Sequence, residues 1–360
     1  MTTEPAADAP ALRAGGIRLS PVAAYPGMRV LAWAGDILYA SRRYQLLCSK
    51  ATDSGCDWQV VGSFRPAWWR TVTSATRLGF RLVRDGFHAL AVLPDRTLVG
   101  AVPGAIVTLA KGQKELRASH RITRGTRPLH ITATPEGRVY WGEYFDNAAR
   151  DEVHIYGSQD SGASWDVLYT FAKGSIRHVH NVVYDEWERC LWVLTGDYGD
   201  ECRILRASCD FRSVEVVMSG NQQARAVALV PTRSALYFAT DTPLEQNFIY
   251  RMDRRGSLDR ITSLTGSSIY GCGVNDAVFF STMVEPSAAN PDRNVRVFGG
   301  TPETGWQSLL SWPKDRWSMR FFQYGNAFLP DGCQGSRFLA VTTAAVAGAD
   351  LTTSLYRIDR

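Results

Sequence analysis

The chain has 360 residues, 45% of them hydrophobic, 11% aromatic and 21% charged, with a formal net charge of +5. That composition is globular and excludes a disordered chain, a collagen and a coiled coil. The basic residues are scattered rather than clustered, which argues against nucleic acid, and no apolar run reaches the roughly 18 residues of a membrane-crossing helix.

Residues 1–15 read as a disordered tail. They lack the basic start and apolar core of a secretory leader, so the expected compartment is the cytoplasm. Seven cysteines, an odd number without zinc-type spacing, agree with that expectation. Gly16-Ile-Arg-Leu-Ser-Pro-Val-Ala23 is strand-like.

From there the chain falls into repeated units. Arg29-Val-Leu-Ala-Trp33 is followed by Ile37-Leu-Tyr-Ala-Ser41, a strand, a turn and a second strand. Residues 65–84, with Trp68 and Trp69, interrupt the pattern; they read as a short helix, a lid or a surface insertion. The pattern then returns near His88, His130, His180, Arg225, Tyr270 and Gln323. Units of about 49 residues, four strands each, are the sequence signature of a β-propeller. Seven units predict an all-β, seven-bladed propeller with four-stranded blades.

Closure follows from the C-terminus. Ser354-Leu-Tyr-Arg-Ile-Asp-Arg360 repeats Ile249-Tyr-Arg-Met-Asp-Arg254, a third strand, so the last unit ends one strand short. The N-terminal strand at 16–23 is expected to supply the missing outer strand and remove an open sheet edge. This makes 16–360 a single domain.

Ser158-Gln-Asp-Ser-Gly-Ala-Ser-Trp165 lies at a turn between third and fourth strands, and Asp53-Ser-Gly-Cys-Asp-Trp58 is a reduced copy at the same place in the first unit. Both resemble the Asp-box, or BNR repeat, of sialidase-like propellers, and the whole chain is similar to bacterial BNR-repeat proteins. The box is a folding device: Asp caps turn amides, Gly takes positive φ and Trp packs into the blade. The superfamily implied contains sialidases, other glycosidases, polysaccharide lyases and non-enzymatic receptors. Phe64-Arg-Pro66 only poorly echoes the sialidase Arg-Ile-Pro motif, so sialidase activity itself is not implied.

In a propeller the inner strands begin, and the second strands end, at one mouth of the central channel, the default binding site. Inner-strand starts place Arg29, His88, His130, His180, Arg225, Tyr270 and Gln323 there. Loops after second strands add Glu143, Tyr144, Asp197, Asp241, Glu245 and Glu285. Three chemistries fit. Glu143 and Asp197, on adjacent blades, could form the carboxylate pair of a glycosidase. His130, His180, Tyr144 and Arg225 could perform β-elimination on a uronic-acid polymer. His88, His130 and His180 could hold a divalent metal, Zn or Mn. Trp68, Trp69, Tyr198 and Trp317 could stack on sugar rings.

The expected function is therefore cleavage of glycosidic bonds, by hydrolysis or elimination. In that reading Arg29, His88, Arg225, Asp241, Glu245, Glu285 and Gln323 bind the substrate. The alternative is a non-catalytic propeller that binds a glycan or a protein partner. The expected molecule is a monomer without nucleic-acid or membrane partners.

Overall fold

A computed structural model describes residues 16–359, so the expected N-terminal tail lies outside the described residues. Among the described residues no helix is long and apolar enough to cross a membrane. The chain forms a seven-bladed β-propeller with four-stranded blades.

Each blade is a meander in which β-branched and aromatic runs meet at tight turns. Blade one, for example, comprises Arg29–Ala34, Ile37–Arg42, Gln45–Thr52 and Gln59–Ser63, counted from the channel outward. Blades two to six begin on inner strands Ala89–Val92, Thr132–Ala133, His178–Asp185, Ala226–Pro231 and Ser268–Val274. Blade seven begins on Asn326–Phe328.

No blade covers both of its own faces, and the core lies between neighbours. Val139 and Trp141 of blade three pack on Ala89, Ala91 and Val99 of blade two. Leu191 and Val193 of blade four pack on Tyr140 and Ile155 of blade three. Burying both faces requires the ring to close.

The closure is the one the repeat implies. Arg18–Pro26 pairs antiparallel with Thr352–Asp359 as the outer strand of blade seven. Pro21 and Pro26 suit this edge position, where a missing backbone donor costs no ladder bond.

The 65–84 interruption forms two short helices, Trp68–Thr73 and Arg77–Val83. The second is capped by the Thr76 hydroxyl, which accepts the Gly79 N–H, and ends at Arg84 in the left-handed region (φ 52°). Two charges pin it. Arg81, fully buried, donates from Nε to the Phe322 carbonyl at 3.0 Å and pairs with Asp315 and Asp350. Buried Asp85 accepts from the Tyr44 hydroxyl at 2.7 Å, Arg70 at 2.6 Å and the Thr73 hydroxyl at 2.5 Å. The insertion thus sits against the rim of the ring near blades one, six and seven.

The box around Asp160 works as a turn lock. Asp160 Oδ1 accepts the backbone N–H groups of Ala163 (3.1 Å) and Ser164 (2.9 Å), and Oδ2 accepts the Ser164 hydroxyl at 2.6 Å. Those bonds, the Ser164 hydroxyl foremost, bring its carboxyl down to about 2. Gly162 has φ 82°, and the Trp165 indole donates to Ser119 of blade two at 3.1 Å. In the reduced copy Trp58 packs edge-on to Tyr25 of the closing strand at 5.6 Å.

Candidate functional site

The channel opens on the insertion side into a cavity of about 970 Å³. Arg29, His88, His180, Arg225, Tyr270 and Gln323, six of the seven inner-strand starts named from the repeat, line it. So do Tyr144, Asp197, Asp241 and Glu285 from the second-strand loops.

Three expected residues are elsewhere. Glu143 is buried between blades: Arg124 binds both its oxygens, with Nε at 2.9 Å from Oε1, and the His154 N–H donates to Oε2 at 2.8 Å. It does not line the cavity, so Glu143 and Asp197 do not form a pair across a cleft. Neutralising a buried carboxylate within the fold wins over presenting it to a ligand.

His130 is the second correction. The Leu93 N–H donates to Thr97 O and the Thr134 N–H to Arg138 O, which aligns the two turns. His88 lies five residues before Leu93, but His130 lies four before Thr134. A one-residue offset reverses a strand side chain. His130 therefore lines the opposite opening of the channel and bonds Asp331 from Nδ1 at 2.9 Å. Glu245 is the third: it lies exposed outside the cavity and accepts from the Gln223 amide at 2.7 Å. Consequently His88, His130 and His180 do not converge. His88 is also spent on its own neighbours. Nδ1 accepts from Arg29 Nη1 at 3.1 Å, so Nε2 carries the proton and donates to the Arg84 carbonyl at 2.8 Å.

The cavity has two unlike walls. On the side of blades one to three, Arg29, Arg84 and Arg127 surround His88. Among the described residues no carboxylate is within ion-pair distance of any of these three arginines. Arg29 also stacks on Phe328, its guanidinium 3.9 Å from the ring centre. Burial, with repulsion from Arg29 and Arg84, drags the Arg127 guanidinium down to about 9. Burial and the same cluster of positive charge hold His88 well below its ordinary value and keep it neutral.

The wall of blades four to six is instead paired internally. Asp197 Oδ1 lies 3.4 Å from Nε2 of both His178 and His180 and 3.2 Å from Arg225 Nη2. Its Oδ2 lies 3.3 Å from Arg177, which also binds Asp146. Arg225 reaches Asp241 at 3.4 Å. Burial pushes Asp241 up to about 7; Arg225 opposes this, while Glu285 and Asp197 add to it. Burial resists ionisation of Asp197 too, but the two imidazoles beside it outweigh burial and hold that carboxyl low. Burial brings His180 down to about 4 and raises Tyr144 to about 12. Tyr144 stacks at 4.3 Å on His178. The residues able to hold a cation are thus His178, His180 and Asp197.

Arg84, Arg127 and Arg177 were not among the site residues read from the sequence. One signal was available: Arg127-Pro-Leu-His130 and Arg177-His-Val-His180 share an Arg-x-x-His spacing before successive inner strands. Arg84 ends the insertion and follows no repeat. Of the aromatic side chains expected to stack on sugars, Tyr198 lines the cavity, whereas Trp317 packs on Arg77 and Arg81 at 4.7 Å from each guanidinium.

No family model and no curated protein matches the chain. Solved structures match across nearly its whole length. A chain of the mitotic checkpoint complex has 13% identity and TM-score 0.59, covering 100% of this chain and 97% of its own. The β-propeller domain of Myceliophteria thermophila Cps50 (Swd1) has 11% identity and TM-score 0.57, covering 93% and 98%. The WD40 propeller domain of Doa1 has 11% identity and TM-score 0.55, covering 94% and 96%. At such identities the likeness shows the propeller fold alone. Only the Doa1 title among these three names a repeat class, WD40, and none names a sialidase or BNR propeller, so the sialidase-like assignment suggested by the Asp-box gains no support from them.

Proposed function

We propose that the chain is a binding propeller, not a glycan-cleaving enzyme, and that its mouth takes an acidic segment of a partner protein. One observation carries this reading: Arg29, Arg84 and Arg127 converge on the cavity with no carboxylate within ion-pair distance among the described residues. Arg29 and Arg127 are half-buried and Arg84 is exposed, so their charges are partly desolvated yet reachable, and an arriving carboxylate or phosphate supplies the counter-ion. The partner's class follows from the rim. The insertion exposes Trp68, Val72, Leu78 and Leu82 beside the mouth, with Trp68 79% exposed. Apolar side chains next to an arginine cluster suit a peptide better than a sugar chain. One structural neighbour is by its title part of a complex, which agrees with a protein partner.

Glycan cleavage draws no support from the geometry. The carboxylate pair expected to perform it is broken, because Glu143 is committed to Arg124 and of the two only Asp197 lines the cavity.

The test is fluorescence anisotropy with labelled Glu-rich and phosphoserine peptides, and with uronic-acid oligosaccharides as rivals. Acidic peptides are expected to bind, more weakly as salt rises. Arg127→Met should weaken that binding at least about tenfold, a loss of about 1.4 kcal/mol. Binding of the uronic-acid probes alone, or indifference of peptide binding to Arg127→Met, would overturn the reading.

A further inference from the structure

A backbone carbonyl can only accept a hydrogen bond. His178 Nδ1 faces Phe145 O at 3.2 Å and His180 Nδ1 faces Ala226 O at 3.0 Å. Each neutral ring therefore keeps its proton on Nδ1 and presents a lone pair from Nε2. Those two Nε2 atoms are 3.1 Å apart, and Asp197 Oδ1 is 3.4 Å from both. With both rings neutral, three electron-pair donors meet with no proton among them, all three residues being buried. Such a meeting is repulsive unless a cation occupies it.

The size of the triangle identifies the cation. Ligand atoms about 2.0–2.1 Å from a tetrahedral Zn²⁺ lie about 3.3–3.4 Å from one another. The observed edges of 3.1, 3.4 and 3.4 Å have that length. The backbone carbonyls behind the rings supply the outer shell that fixes the tautomer of a metal-bound imidazole. The main chain holds the set in place. His178 and His180 lie two apart on one strand, His180 at a bulge in its pairing; His178 pairs with Gly196, and Asp197 follows immediately.

We propose that His178, His180 and Asp197 bind one Zn²⁺ in tetrahedral geometry, with the fourth position open to the central cavity. The site uses none of the arginines on which the peptide reading rests, so either can fail without the other.

The test strips the full chain with a chelator and titrates it with Co²⁺ and Zn²⁺. One equivalent of Co²⁺ is expected to give the intense visible bands of a tetrahedral site, and Zn²⁺ to displace it and raise Tm. His178→Ala and His180→Ala should abolish the bands, and His130→Ala should leave them unchanged. X-ray absorption of the Zn²⁺-loaded wild-type chain should show two imidazole ligands. That measurement decides the matter even if the variants do not fold. Absence of binding, retention of the bands in both histidine variants, or fewer than two imidazoles would each refute the site. A proton shared by the two rings would appear as the first of these.

Discussion

Blades one to three and blades four to six face each other across the same mouth with opposite electrostatic habits. On the first wall, among the described residues, Arg29, Arg84 and Arg127 have no carboxylate within ion-pair distance. On the second, Arg177 and Arg225 are held between Asp146, Asp197 and Asp241. Both walls carry arginine, so residue type does not distinguish them. What differs is whether the fold itself supplies the counter-charge. A satisfied arginine contributes to the fold, and an unsatisfied one is available to a ligand.

Substitutions test this contrast most strongly on the paired wall. Arg225→Met leaves Asp197 and Asp241 without their shared cation, and removing one member of a buried pair costs about 3–5 kcal/mol. A large fall in Tm and in the denaturant midpoint is expected. Arg127→Met removes a half-buried charge with no carboxylate partner among the described residues, so the same melts should show no loss, or a gain. Equal destabilisation by the two substitutions would erase the distinction between the walls.

A smaller effect concerns pH. Asp241 is raised to about 7 by burial, from the 3.8 ordinary for an aspartate. Between those limits the folded chain holds a proton that the unfolded chain has released. Stability contributed by this group therefore falls as pH rises from about 4 to 7. Asp241→Asn should flatten that fall, the gap to wild type widening by at most about 1.4 kcal/mol per pH unit between about pH 4 and pH 7. Urea melts at pH 4.5 and pH 8 measure it; parallel behaviour of the two proteins would exclude a raised Asp241.

The smallest effect lies away from both walls. Asp160→Ala removes a four-bond turn lock on an exposed loop and should cost about 1 kcal/mol. Anionic-peptide affinity should be the same within error, because the box is remote from the mouth. A change in affinity would show that the outer turn communicates with the channel.

Much of the ring was legible because repeats are one-dimensional. Ile249-Tyr-Arg-Met-Asp-Arg254 and its echo at residues 354–360 locate a third strand in two blades, and with it the missing outer strand. Period and face alternation likewise place Arg29, His180, Arg225 and Asp241 at the mouth. The errors arose where one residue or one neighbour decides. His130 was counted in phase with His88, but its turn begins one residue sooner. Glu143 follows its second strand as Asp197 does, and no local feature announces that Arg124, from the preceding connection, will claim it. The metal triangle needed His178 rather than His88 or His130, and two residues on one strand give no sign of their distance from a third.

The amino-acid order by itself determined the blade count, the strand alternation and the N-terminal closure, since these depend on hydrophobic period and on leaving no sheet edge unpaired. Only the tertiary structure decided which charges are satisfied. That depends on contacts such as Arg124 with Glu143 and Arg225 with Asp197, which join residues 19 and 28 positions apart in the chain. Electrostatic pairing acts over a few ångströms and takes no account of sequence distance, so the open wall and the closed wall emerge only when the ring is assembled.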